Sequence, residues 1–314
     1  MMRFPLNDLV SEQACYDFLL QVLHPEGLKC PNGHPLPPDQ APHDRHRAPI
    51  MDYRCRVCGR VFNLFTGTIW QGTRLSCTQV VLLLRGILQG DPTLKLSDEL
   101  GVGYGTLLRW RHRIQQIGLE KLPTGPLPDK AVESDEMFQN AGEKGTPHRD
   151  PADPPRRRAN KRRGIGTMEN DRPPVLGIVG RESGQVHLVV CENTQQATIQ
   201  PEVEKNTQPG ATVYTDESPA YARIAETGRE HATVCHSRKE WARDDDGDGV
   251  REVHCNTQEG FWTGLRNFLR LFRGVHKKFL AGYVAMFQWA YTLKRVTADF
   301  LRALMIPHFT LNPI

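Results

Sequence analysis

The chain has 314 residues, 39% hydrophobic and 24% charged, with 40 basic against 36 acidic side chains and a net charge of +4. That is apolar material for two or three cores, and it excludes wholesale disorder. The best membrane candidate, Phe279–Leu293, is 15 residues long and includes Gln288, against the roughly 20 that a bilayer needs. The first thirty residues lack a signal-peptide pattern, so the expectation is a soluble, cytoplasmic protein without a membrane partner.

Charge distribution says more than net charge. Between Gly260 and Ala298 there is no Asp or Glu, against Arg266, Arg270, Arg273, Lys277, Lys278, Lys294 and Arg295. A second basic cluster runs through Arg156, Arg157, Arg158, Lys161, Arg162 and Arg163. Such concentrations suit a polyanion. Eight cysteines in an intracellular chain of this length do not suggest a disulfide framework.

In chain order, residues 1–66 read as a short helical lead-in, with Asp8, Ser11 or Asp17 as caps, followed from residue 27 by a Pro/Cys/Gly/His-rich segment. So few apolar residues rarely hold a fold without a metal or staple. Cys55-Arg-Val-Cys58-Gly is a C-x2-C turn, and Cys30-Pro-Asn-Gly-His34 lies 25 residues upstream. Four Cys/His ligands make a closed tetrahedral zinc site. His34 is the fourth ligand on this reading, with His43 and His46 as competitors.

Residues 67–120 turn helical. Leu75–Gln89 is one stretch, Lys95–Leu100 a second ending at Gly101, and a third starts near Gly105 or Thr106. The last interleaves Leu107, Leu108 and Trp110 with Arg109, Arg111 and Arg113. That is the layout of a helix-turn-helix, with the arginines on a DNA-facing side. Residues 121–130 form a proline-marked linker.

Beyond the linker the pattern becomes α/β. Strands are predicted at Ala131–Phe138, Val175–Gly180, Gln185–Val190, Ala211–Thr215 and Ala232–Cys235. Helices are predicted at about 195–206, at Pro219–Glu226 and over a long region from Asn256 to Leu304, followed by a tail at 305–314. A basic excursion, 139–174, separates the first two strands; its length marks it as functional or disordered.

Three acids stand out by position. Asp135 lies in the first strand, Asp216 ends a later one 81 residues on, and Glu259 enters a helix after a further 43. Acids so placed can converge on two Mg2+ (or Mn2+) ions that hold the attacking and leaving oxygens of a phosphodiester displacement. Asn256, one turn before Glu259, can add an oxygen. Arg266, Arg270, Arg273 and Lys277 follow at i, i+4, i+7 and i+11, which on a continuous helix gives one phosphate-facing side, with Leu265, Leu269 and Phe272 inward. Asp244–Gly249 begins like a calcium loop, but its twelfth position is Cys255, so the pattern fails.

Taken together, the order resembles the IS1595-type (ISXO2-like) insertion-sequence transposases. The matching pieces are Tyr53-Arg-Cys-Arg-Val-Cys-Gly-Arg-Val-Phe, Thr66-Gly-Thr-Ile-Trp, the Leu96–Ile114 helix-turn-helix, Glu133-Ser-Asp-Glu and Val175-Leu-Gly-Ile-Val. Tyr214-Thr-Asp-Glu-Ser-Pro-Ala-Tyr221 and His254-Cys-Asn-Thr-Gln-Glu-Gly-Phe-Trp262 complete the set and are the most specific. The resemblance implies a zinc ribbon and helix-turn-helix before an RNase H-like domain over 131–304. It implies Mg2+-dependent cleavage and 3′-hydroxyl strand transfer between inverted-repeat ends and target DNA, by a dimer or larger assembly. The acidic triad falls on Asp135, Asp216 and Glu259, with Glu259 against Asn256 left open for the third position. The first knuckle departs from the family's C-x2-C, because Gly33 stands where the second cysteine would be. An inert DNA-binding regulator and a nuclease without strand transfer are the competing functions.

Overall fold

The computed structural model describes residues 11–143, 164–245, 247–293 and 295–311; the side chains of His236 and Glu259 are outside that description. The basic cluster at 156–163, and with it the middle of the 139–174 excursion, lies outside the described residues, as does Lys294. Two compact units are present: residues to Lys121 together with those from Leu293, and Leu122–Thr292.

In the first unit, helix α1 (Glu12–Leu23) is capped by Ser11, whose hydroxyl accepts from the Ala14 amide at 3.1 Å. Two short strands, β1 (Tyr53–Arg54) and β2 (Val61–Phe62), pair antiparallel around the Cys55–Cys58 turn. Helix α2 (Cys77–Gln89) starts at a Ser76/Gln79 capping box. Its first amides, Cys77 and Thr78, also donate to the Glu12 carboxylate at 2.7 and 2.9 Å, which ties α1 to α2. Helix α3 (Thr93–Leu100) ends at Gly101 in the left-handed conformation, φ 61°, and α4 (Tyr104–Glu120) follows as the second helix of the turn. Trp70 and Trp110 stack at 4.2 Å inside this unit.

The second unit is built on a five-stranded mixed sheet. Strands β3 (Ala131–Phe138), β4 (Pro174–Gly180), β5 (Val186–Val190), β6 (Thr212–Thr215) and β7 (Glu230–Thr233) lie in the order β5-β4-β3-β6-β7. The first three form an antiparallel meander; β6 runs parallel to β3, and β7 parallel to β6. This order is the RNase H-like arrangement. Helix α5 (Gln196–Asn206) packs Ile199 and Val203 on one face, against Val132, Leu176, Ile178 and Val213. Helices α6 (Asn256–Arg270) and α7 (Leu280–Thr292) cover the other, where Phe261, Trp262, Leu265 and Val284 meet Met137, Val175 and Val179. Strand β4 is buried along its whole length, which is why it reads as an unbroken apolar run instead of an alternation.

Several expectations are corrected. The long helical region from Asn256 to Leu304 is three helices, because Arg273 and Gly274 take positive φ (51° and 107°) and end the first. The third, α8 (Ala298–Met305), belongs to the first unit: it packs on α1 and α4, and the Met305 carbonyl accepts from the Ile69 amide at 2.8 Å. The RNase H-like unit thus ends at Thr292, not at 304. The expected helix at Pro219–Glu226 is two 3-10 turns, Pro219–Tyr221 and Ile224–Thr227. Two further short strands, β8 (Ala242–Arg243) and β9 (Val253–His254), pair antiparallel on either side of the Asp244–Gly249 segment.

Gly177, paired with Asp135 across β3 and β4, sets how closely α6 approaches the sheet. A Cβ there would fall 2.6 Å from the Trp262 ring and 3.1 Å from the Gln258 amide nitrogen. Gly177→Ala is therefore expected to lower stability by about 1–3 kcal/mol, read from the urea midpoint. Gly260→Ala on exposed α6, where a Cβ meets nothing within 4 Å, is expected to be neutral or stabilising by up to about 1 kcal/mol. Equal midpoints for the two variants would contradict the close packing.

Candidate active site

The β3–β6 register assembles the carboxylates. The paired positions end at Glu133 opposite Tyr214. Two residues further along, Asp135 lies within β3 and Asp216 follows directly on the last residue of β6. Both are half-buried. Asp135 accepts from the Trp262 indole nitrogen at 2.8 Å, so α6 reaches the carboxylate directly. Asp216 accepts from the Ser218 amide at 2.9 Å, an Asx turn that fixes the strand end.

The opposite face of β3 is held as firmly. Tyr221 is fully buried; its hydroxyl donates to Glu136 at 2.5 Å and accepts from Ser134 at 3.2 Å. Burial, then repulsion from Asp135 and Asp216, pushes the Glu136 carboxyl up to about 7, although the Tyr221 bond pulls it down. The buried Cys255 thiol is likewise driven upward, by burial first and then by Glu133, Asp135 and Asp216. Burial leads both shifts, and the carboxylates of Asp135 and Asp216 add to each. Asn256, exposed, opens α6, and Glu259 sits in the same first turn, three residues before Trp262. The Glu259 side chain lies outside the described residues.

The four sulfur and nitrogen donors also converge. Cys30 Sγ lies 3.2 Å from His34 Nδ1 and 3.6 Å from Cys58 Sγ, and Cys55 Sγ lies 3.6 Å from His34 Nδ1. All four donor atoms fall within 4.8 Å of one another. A tetrahedral zinc with Zn–S near 2.3 Å needs ligand separations of about 3.8 Å, so the set fits. Gly33 and Gly59, both at positive φ (83° and 71°), turn the two knuckles. The extra residue in C-x3-H is absorbed by the His34 carbonyl, which accepts from the Cys30 amide at 2.8 Å. An amide bond from Cys58 leads in holding the Cys55 thiol down to about 6, favouring the thiolate that a metal binds. Of the competitors, His46 is exposed and bonded to Asp44 at 2.6 Å, and His43 faces Arg54 at 3.4 Å.

The ISXO2-like transposase domain matches residues 131–292, the stretch that forms the sheet and its helices. The chain belongs to the ISXO2-like transposase family. A protein of Halobacterium salinarum, described as an uncharacterized protein in transposable element ISH50, is 28% identical over 288 residues, covering 90% of this chain and 92% of that one. Among solved structures, a simian T-cell lymphotropic virus intasome in complex with PP2A regulatory subunit B56 gamma is 12% identical, covers 66% of this chain and 67% of that one, and has a TM-score of 0.28. The Mos1 transposase paired-end complex with left transposon end is 12% identical, covers 72% and 76%, and has a TM-score of 0.27. At such TM-scores the strand order, not the superposition, carries the fold assignment.

Of the basic residues expected on this transposase's DNA-facing sides, Arg109, Arg113, Arg266, Arg270 and Arg273 are exposed. Arg111 is not. It is 1% exposed, on the α4 face shared by Leu107, Ile114, Gln115 and Gly118. Its guanidinium donates to the Thr93 hydroxyl at 2.8 Å and to the Asp91 carbonyl, bracing the start of α3. Helical spacing puts it four residues after Leu107, and that overrides its charge. Lys277 is the second correction. With α6 ended at Arg270, it falls in a 3-10 turn and pairs with buried Asp171 and with Glu143, each at 3.1 Å. It thereby anchors both ends of the basic excursion.

Residue types alone missed Glu133, Tyr221, Gln258, Trp262 and Arg181, although all but Arg181 lie inside the family-like motifs. The available signal was parity: Glu133 is two residues before Asp135 and so shares its face of β3.

Metal analysis of the full chain is expected to find one zinc per chain, lost in Cys55→Ser and unchanged in His46→Ala. Chelation should unfold the 27–66 segment. A Cys55→Ser chain with full zinc content would remove the site.

Proposed function

We propose that this transposase binds the inverted-repeat ends of its insertion sequence as double-stranded DNA. It then cleaves a strand and joins the freed 3′-hydroxyl to target DNA. Asp135, Asp216 and Glu259 hold two Mg2+ (or Mn2+) ions, with Asn256 as an accessory oxygen. The single observation that supports this reading is the parallel pairing of β3 with β6, which ends two residues before Asp135 and Asp216, with α6 bonded onto Asp135 through Trp262.

The metal ions, when bound, supply Lewis-acid stabilisation of the attacking and leaving oxygens. The chain's own residues do the positioning. Trp262 orients Asp135 by occupying one carboxylate oxygen, and the Ser218 amide does the same for Asp216. In cleavage, water attacks phosphorus as the bond to the 3′ oxygen breaks, leaving a 3′-hydroxyl and a 5′-phosphate. In joining, that hydroxyl attacks a target phosphodiester and displaces the target's own 3′ oxygen, so the number of ester bonds is conserved. Because little covalent chemistry falls to protein groups, alignment and charge neutralisation carry the rate. Arg266 and Arg270 on α6, with Arg273 just beyond it, are exposed and suit the phosphate backbone. Arg109 and Arg113 on α4 suit the repeat, and zinc at Cys30, His34, Cys55 and Cys58 stabilises the ribbon before them. Two ends must be joined together, so the working form is a dimer or larger assembly, acting in the cytoplasm at the nucleoid.

The test combines protein, a DNA fragment carrying inverted-repeat ends, a supercoiled plasmid and Mg2+. Joined products are expected, with Asp135→Asn and Asp216→Asn each reducing them by about 10^3-fold or more while retaining end binding. Nicked or hydrolysed DNA alone would favour a nuclease. End binding without any cleavage would favour an inert regulator.

A further inference from the structure

Glu133 has no exposed surface, yet its carboxylate is bonded at both oxygens. Its Oε1 accepts from Arg181 Nε and from the Thr257 hydroxyl, both at 2.9 Å, with His254 Nδ1 at 3.3 Å. Its Oε2 accepts from the Gln258 amide at 3.2 Å, and its carbonyl accepts from the Gln258 side chain, also at 3.2 Å. Residues 254, 257 and 258 bracket Asn256 and immediately precede Glu259. Arg181 holds the same segment from the other side, donating to the Glu252 and His254 carbonyls at 2.6 Å each. The guanidinium also lies over the Tyr214 ring at 3.8 Å, on β6, the strand that leads into Asp216. One ion pair therefore touches β3, β6 and the entry to α6, the three elements that carry Asp135, Asp216 and Glu259.

Stability alone does not call for this. A buried ion pair is replaced by well-packed apolar residues at little or no cost. Here every oxygen of the carboxylate is spent on fixing the first turn of α6. We infer that Glu133 is a positioning residue: its buried carboxylate, paired with Arg181, locks the start of α6 at the register that brings Asn256 and Glu259 to the Asp135–Asp216 pair. The inference rests on the metal-dependent reading proposed above. Ligands held from behind in this way typically lose 10–100-fold in metal affinity when the support is removed.

Glu133→Gln is the direct variant, since it keeps the shape but removes the charge and turns a donor toward one of its amide partners. Mn2+ binding to the zinc-loaded full chain is measured by the electron paramagnetic resonance of free Mn2+, with cleavage followed against Mn2+ concentration in parallel. The expected result is a Kd for Mn2+ about 10–100-fold weaker, with unchanged inverted-repeat binding and cleavage partly restored at high Mn2+. An unchanged Kd in folded Glu133→Gln overturns the inference. Should circular dichroism show that variant unfolded, Thr257→Val and Arg181→Lys each remove part of the same cluster. Weakening of Mn2+ binding in both supports the positioning role, and wild-type Kd values in both overturn it. Failure of the underlying reading looks different: the wild-type chain itself would then bind no Mn2+ at Asp135 and cleave no repeat ends.

Discussion

Parallel pairing of β3 with β6 carries Asp135 and, just past the strand end, Asp216 into one part of the sheet, where both act electrostatically on Glu136 and Cys255. Carboxylates gathered in one part of a fold repel each other. Left to themselves the side chains would turn apart. Trp262 holds one from α6, the Ser218 amide holds the other, and Tyr221 secures β3 from beneath through Ser134 and Glu136. Gly177 is the condition for the first of these, since any larger residue would push Trp262 off the sheet. The Glu136 carboxyl beside them is raised, by burial first and then by the two aspartates.

A similar economy governs the first unit, where one small motif supports another. The Cys30–Cys58 knuckles give the Pro-rich segment something to fold around. Glu12 links α1 to α2, and Arg111 links α4 to the loop before α3. The chain's last helix then returns to α1 and α4, so this unit is closed by residues far away in sequence. The family match covers residues 131–292, within the unit that holds Asp135 and Asp216.

Much of this was legible in the sequence, for physical reasons. The β3 and β4 runs, the Gly101 turn and the C-x2-C knuckle are local signals, fixed by residues within a few positions of one another. The strand around Asp135 and the one leading into Asp216 are local signals of the same kind. What escaped depended on contacts distant in sequence. Arg111 carries a charge but occupies a buried helical phase, where Asp91 and Thr93 satisfy it. Lys277 was assigned to a helix that Gly274 and Arg273 end early, and its partners lie more than a hundred residues upstream. Glu133 and Arg181 are 48 positions apart, and nothing short of the β3–β4 pairing announces that they meet.

The central claim is that Asp135 and Asp216, with the start of α6, form one metal-binding point. Crystals of the full chain soaked in Mn2+ test it most directly, through anomalous scattering. The account predicts a peak bonded to oxygens of both Asp135 and Asp216, with Asn256 or Glu259 in the shell, and its loss in Asp135→Asn. Manganese bound elsewhere, or a peak at this position that persists without Asp135, would contradict it.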